Sequence, residues 1–323
     1  MASTKDIQRR IKSIGNTKKI TKAREMVATA KMRRSIETVL KTRTYANLSW
    51  ATVLNLSQAD NSGEELHPLL VKKDKIKNVG IVLFASNRGL CGGFNTAIVN
   101  KVHESIKKHH HKGEPMEAKA EFIIMGKKGL AVNKYYGYNL AADFPKQDAV
   151  SEVAEVMPIA KMIINDFLSG KYDKVMVAYT DFINVAKQIP RVKQLLPIDF
   201  TADDKYLGIV GEDSRIGISK EFIKAKDEKH LEEKKNKFYY TFEPSPQEVL
   251  DKIIPRLIEV QLYQTHLESN ASEHSARMTA MHQATDAATD MVSELTLFYN
   301  KARQASITAE IAEISAGANA LAE

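Results

Sequence analysis

"NKARQASITAEIAEISAGANALAE" occupies residues 300–323, and how it is read decides the fold. No proline interrupts it, and Gly317 is its only candidate stop. Ile307, Ile311, Ile314, Ala318 and Leu321 recur at steps of four, three, four and three, which is a stripe along one side of a helix. Arg303, Gln304, Thr308 and Glu310 fall on the opposite side. Upstream, Met281, Ala284, Ala288, Val292, Leu295, Tyr299 and Ala302 extend the stripe. Glu243-Pro244-Ser245-Pro246 is a turn signal before it. One C-terminal helix is therefore predicted over 247–323, about 110 Å long at 1.5 Å per residue, with a bend early on at Pro255.

The other end has the same character. Ser3-Thr4-Lys5-Asp6 has the form of a capping box. Ile7, Ile11 and Ile14 define an apolar edge, and Ile20, Ala23, Val27 and Ala30 are read as its continuation. No proline precedes Pro68, so an N-terminal helix is predicted over 1–58, about 80 Å long. Helices of this length need a partner. Residues 1–50 carry thirteen Lys and Arg against three Asp and Glu, a net +10. Residues 246–323 carry five against eleven, a net −6. Opposite charge and matching stripes predict that the two helices pair as a long coiled coil, in a parallel or antiparallel sense. Small residues around Ala284 to Ala288 imply close approach there.

Between the helices, 76–243 alternates strand and helix. Val79 to Ser86, Phe122 to Met125 and Lys174 to Tyr179 read as buried strands, and about 95–108 and 151–169 as helices. That order predicts a Rossmann-like α/β domain with a largely parallel, doubly wound sheet. Residues 201–237, rich in Lys, Asp and Glu, read as a solvated insertion. Overall, 43% hydrophobic and 27% charged residues predict packed cores and exclude global disorder. One cysteine excludes an internal disulfide and a multi-cysteine metal site. No apolar run approaches the roughly 20 residues that span a bilayer. MASTKDIQRR lacks a signal-peptide core, and the expectation is a bacterial protein in a reducing compartment.

Several motifs invite a chemical reading. Gly89-Leu90-Cys91-Gly92-Gly93 copies the spacing of a nucleophile elbow with Cys91 as nucleophile, so a cysteine hydrolase is one alternative. It needs a base, and His103, on the helix that follows, is expected to point elsewhere. A tight strand-to-helix turn built on Gly89, Cys91, Gly92 and Gly93 explains the same residues. The glycines fit neither phosphate-binding fingerprint. His109-His110-His111 sits among lysines, and His266, His274 and His282 repeat every eight residues, which matches no chelating pair. The basic N-terminal segment suggests a nucleic-acid scaffold as a second alternative, but the first aromatic residue is Tyr45, so stacking platforms are missing there.

Three longer stretches carry a family resemblance. Ile14-Gly-Asn-Thr-Lys-Lys-Ile-Thr-Lys-Ala-Arg-Glu-Met-Val-Ala-Thr-Ala-Lys-Met-Arg-Arg34, Asn87-Arg-Gly-Leu-Cys-Gly-Gly93 and Tyr299-Asn-Lys-Ala-Arg-Gln-Ala-Ser-Ile-Thr308 resemble the gamma subunits of F-type ATP synthases. The resemblance implies a non-catalytic rotor without cofactor or metal. Its paired helices would form a shaft threaded into a hexamer of alpha and beta subunits. Its α/β domain would hold an epsilon subunit and rest on a ring of c subunits. It implies one copy per complex, held peripherally at the cytoplasmic face of a bacterial membrane without inserting into it. Arg303, Gln304, Thr308 and Glu310 would contact beta-subunit loops, and so would Arg24, which stands where the family commonly has Met. The 201–237 insertion exceeds what shorter members carry.

Overall fold

A computed structural model describes residues 4–59, 67–71, 73, 76–110, 119–147, 152–198 and 246–322. Ser3 of the predicted capping box, His111, the 243–245 turn signal and the 201–237 insertion lie outside the described residues. Along the chain come α1 (Thr4–Ala59), β1 (Asn78–Phe84), α2 (Phe94–His110), β2 (Lys119–Met125), a single-turn 3-10 helix (Lys127–Leu130), α3 (Ala131–Tyr136), β3 (Asn139–Phe144), α4 (Val153–Leu168), β4 (Lys174–Phe182), β5 (Gln188–Leu196) and α5 (Pro246–Ala322). The chain divides into two compact units, residues 1–29 with 277–323, and residues 30–276.

In the smaller unit the start of α1 pairs with the end of α5. The Thr285 and Thr21 hydroxyl oxygens lie 2.8 Å apart, and His282 Nδ1 lies 3.5 Å from Glu25 Oε1. Numbers rise on one helix as they fall on the other, so the pair is antiparallel. The covered positions of α1 include 4, 7, 11, 14, 18, 21, 25 and 28, with 15 and 29 flanking them, and those of α5 include 281, 285, 288, 292, 295, 299 and 302, with 284 and 289 flanking them. The central series on each helix steps by three and four, the seam of a coiled coil. The expected continuation through Ile20, Ala23, Val27 and Ala30 is not the seam; Ile20 and Val27 are each 56% exposed. A strict seven-residue repeat carried on from Ile14 falls on Lys18, Thr21 and Glu25 instead. Thr21 and Glu25 are met there by Thr285 and His282.

The α5 helix also carries a row of hydroxyls turned back on its own backbone. Thr285, Thr289, Ser293 and Thr296 each donate to the carbonyl four residues earlier, at 2.7–3.1 Å.

The larger unit holds a five-stranded sheet in the order β3-β2-β1-β4-β5. The β1–β2, β1–β4 and β2–β3 pairs are parallel, and only β4–β5 is antiparallel. Strand residues alternate between two cores. Val82 and Phe84 face a core shared with α4 and the Leu250–Leu267 stretch of α5, while Ile81 and Leu83 face α2 and α3. Helices thus cover both faces, the doubly wound arrangement read from the sequence. The two edge strands were not anticipated. Pro190 and the charged residues of β5 suit only an edge, where a missing N–H leaves no ladder bond unmade. In β3, no residue is fully buried, so its apolar signal is weak.

Candidate functional site

The register of the smaller unit positions the residues singled out at the chain's end. Seventeen residues before Thr21 stands Thr4, the first described residue of α1; seventeen after Thr285 stands Ala302. Ile307 was expected to face the partner helix together with Tyr299 and Ala302. The latter two are half-buried, but Ile307 is 47% exposed, one residue past position 306, where the seam would next fall. Ile311 and Ile314 are more exposed still, at 62% and 71%. Arg303, Gln304, Thr308 and Glu310 are exposed on the same run of helix. This end therefore offers apolar and polar side chains together.

Arg24 is exposed on α1, and its neighbour Glu25 is bridged by Lys22 at 2.9 Å. By the same register Arg24 lies opposite residue 282, so about 30 Å of helix separates it from Arg303. The structure does not bring the two candidate contacts together. Among the described residues, neither Arg24 nor Arg303, Gln304, Thr308 or Glu310 bonds to another side chain.

The β1–α2 turn answers the question raised by Cys91. Its thiol is 1% exposed, 3.2 Å from Asn95 Nδ2 and 3.8 Å from Ser86 Oγ. The turn needs left-handed backbone at Leu90 (φ 64°) and Gly92 (φ 55°), and the latter suits glycine. Gly89 and Gly93 have ordinary backbone and open space where a Cβ would sit. His103 is occupied elsewhere, stacked on Tyr136 at 3.8 Å and bonded to the Tyr138 hydroxyl at 2.9 Å. A thiol so enclosed lacks the exposure of a reactive cysteine.

The three spaced histidines occupy three environments. His266 is fully buried, and burial, helped by the charge of Lys146 and opposed by Glu273, brings its pKa down to about 3. His274 is half-buried, and His282 is exposed beside Glu25 and Asp286. Among the described residues, no cluster of His, Cys, Asp or Glu has metal-binding geometry.

Sequence reading missed the charged groups buried in the larger unit. Lys146 pairs with Glu273, and buried Asp181 with the partly exposed Arg191 at 2.7 Å. Along α5, residues 260–273 are all buried although Gln261, Gln264, His266, Glu268, Asn270 and Glu273 are among them. The available signal was the recurrence of Ser269, Ser272 and Ser275, small hydroxyls on a helix approached closely by other backbone.

An antiparallel coiled coil and a doubly wound α/β domain in one chain define the class: a coiled-coil protein with an α/β domain. The sequence model of the family described as ATP synthase matches residues 3–321. The ATP synthase gamma chain of Desulfosudis oleivorans is 41% identical over 332 residues, covering 99% of each chain. That of Roseiflexus castenholzii is 38% identical over 323 residues, covering both completely. The chain belongs to the family of ATP synthase gamma chains. Its fold is also that of a chain in the Euglena gracilis mitochondrial ATP synthase, in a structure of OSCP, F1 and c-ring, with a TM-score of 0.63 over 98% of this chain and 94% of that one at 18% identity. A chain of the Tetrahymena thermophila central stalk and c-ring gives 0.54 over 82% and 99%, at 20% identity.

Proposed function

We propose that this chain is the central rotor shaft of an F-type ATP synthase. It carries torque between a membrane ring of c subunits and a catalytic hexamer of alpha and beta subunits, coupling ion translocation to ATP synthesis or hydrolysis. The observation that carries this reading is the uncovered end of α5, where isoleucines 47–71% exposed share a helix with Arg303 and Gln304. Water alone does not account for three exposed isoleucines in a row of turns; a socket does. In this reading Ile307, Ile311 and Ile314 seat the tip in the hexamer. Arg303, Gln304, Thr308 and Glu310 hydrogen-bond to a beta-subunit loop in one rotary position and release it in the next, and Arg24 makes a second contact lower on the shaft.

The paired helices over 1–58 and 247–323 act as the shaft, and the domain over 76–243 carries an epsilon subunit and rests on the c ring. The chain is present once per complex, performs no bond chemistry, binds no nucleic acid, and is peripheral at the cytoplasmic face of a bacterial membrane. No helix among the described residues is long and apolar enough to cross one. The test is purification of the tagged chain from membranes, with alpha and beta subunits expected beside it; their absence sinks the reading. In a reconstituted complex, Arg303→Ala with Gln304→Ala should leave assembly intact and lower multisite ATP turnover. Charge-assisted bonds of this kind are worth about 1.5–3 kcal/mol. Wild-type rates of both hydrolysis and synthesis would show that the pair is only solvated surface.

A further inference from the structure

The α5 helix is held in the larger unit from more than one side. The Ser272 hydroxyl donates to Thr180 O and that of Ser275 to Val185 O, both at 2.9 Å, on the β4–β5 hairpin. Glu273 projects about 100° around the helix from Ser272 and about 200° from Ser275, and there it meets the ammonium of Lys146. Both charged side chains are at most 5% exposed. The Lys146 end is itself braced. Its Nζ donates to Ala85 O at 3.0 Å, its carbonyl accepts from Asn87 Nδ2 at 2.7 Å, and Ala85 N donates to Met125 O at 2.9 Å. A force on Glu273 thus passes through one side chain into the ends of β1 and β2. Glu273 also lies three residues before the point where α5 passes from the larger unit to the smaller.

A buried ion pair contributes little net stability compared with well-packed apolar residues of the same volume. What it supplies is direction, because apolar surfaces slide past one another whereas a charge-assisted hydrogen bond fixes two atoms. We propose that Lys146 and Glu273 form a torsional joint, positioning residues that stop α5 from turning within the α/β domain when the helix is under load. The proposal rests on the rotor reading above.

The experiment uses the complete complex in sealed vesicles, measuring ion pumping per ATP hydrolysed together with the thermal midpoint of the isolated chain. Lys146→Met alone leaves Glu273 buried without its partner and should lower both. Lys146→Met with Glu273→Met should recover the midpoint, because the pair is replaced as a whole, yet keep pumping per ATP at least twofold below wild type. Lys146→Arg should retain both properties. Lys146→Gln with Glu273→Gln, a neutral pair of similar shape, is read by the same twofold criterion should the Met pair fail to fold. Wild-type pumping per ATP in a folded, charge-free pair overturns the joint alone. A wild-type chain that does not assemble with alpha and beta subunits overturns the rotor reading and the joint with it.

Discussion

Two stretches of α5 invert the usual rule for what is inside and what is outside. Residues 260–273 are all buried, yet they include Gln264, His266, Glu268, Asn270 and Glu273. Residues 303–318 are all exposed, yet they include Ile307, Ile311 and Ile314. Burying polar groups costs free energy unless partners are supplied, and here several are, through Thr42 to Gln264 at 2.8 Å, Asn270 to His266 at 3.1 Å and Lys146 to Glu273. Exposing isoleucine costs less and demands nothing of the folded chain. The first stretch is enclosed by its own domain; the second is left uncovered.

The sharpest way to break this contrast is to disturb the domain's interior and compare the result with changes at the exposed end. Gly126 has φ 106°, and a Cβ there would collide with Ala85 O. Gly126→Val should destabilise the α/β domain by at least about 3 kcal/mol in denaturant titration. Next comes acid. His266 has a folded pKa of about 3, below its unfolded value, so the unfolded chain binds the extra proton between about pH 6.5 and 3. Stability should therefore fall as pH drops through that window, by up to about 1.4 kcal/mol per unit from this residue. Denaturation at stepped pH should show His266→Asn with a shallower slope, and an unchanged slope would mean the histidine is not buried neutral. The smallest effect belongs to the far end. Ile311→Ser with Ile314→Ser should change the isolated chain's stability by no more than about 0.5 kcal/mol, while weakening assembly with the hexamer measurably. A loss of several kcal/mol in the isolated chain would mean that the stripe packs internally.

How much of this was legible depended on period. Apolar residues at coiled-coil spacing revealed both long helices, and the β1, β2 and β4 runs revealed a buried parallel sheet. The N-terminal seam is hidden in the sequence because its repeat continues on Lys18, Thr21 and Glu25, while the apolar Ile20 and Val27 beside it are exposed. Strands β3 and β5 were invisible because edges tolerate Asp143, Pro190 and Arg191. The exposure of Arg303, Gln304, Thr308 and Glu310 was legible because they fall opposite the apolar stripe, whereas that of Ile307 was not, because the stripe itself was read as facing the partner helix. The Lys146–Glu273 pair joins residues 127 positions apart, and no local pattern announces it.

The hydroxyl row on α5 gives the shaft a grain. Thr285, Thr289, Ser293 and Thr296 lie within about a quarter-turn of one another around the helix, and each shares a carbonyl already used by the backbone ladder. Such sharing loosens the ladder locally and favours bending. Confined to one side, it makes the helix more pliant in one plane than in the plane at right angles. A rod of this kind does not flex equally in every direction as it turns. Its resistance to a sideways push from a surrounding ring rises and falls once per half-revolution, so elastic energy is stored at some angles and returned at others.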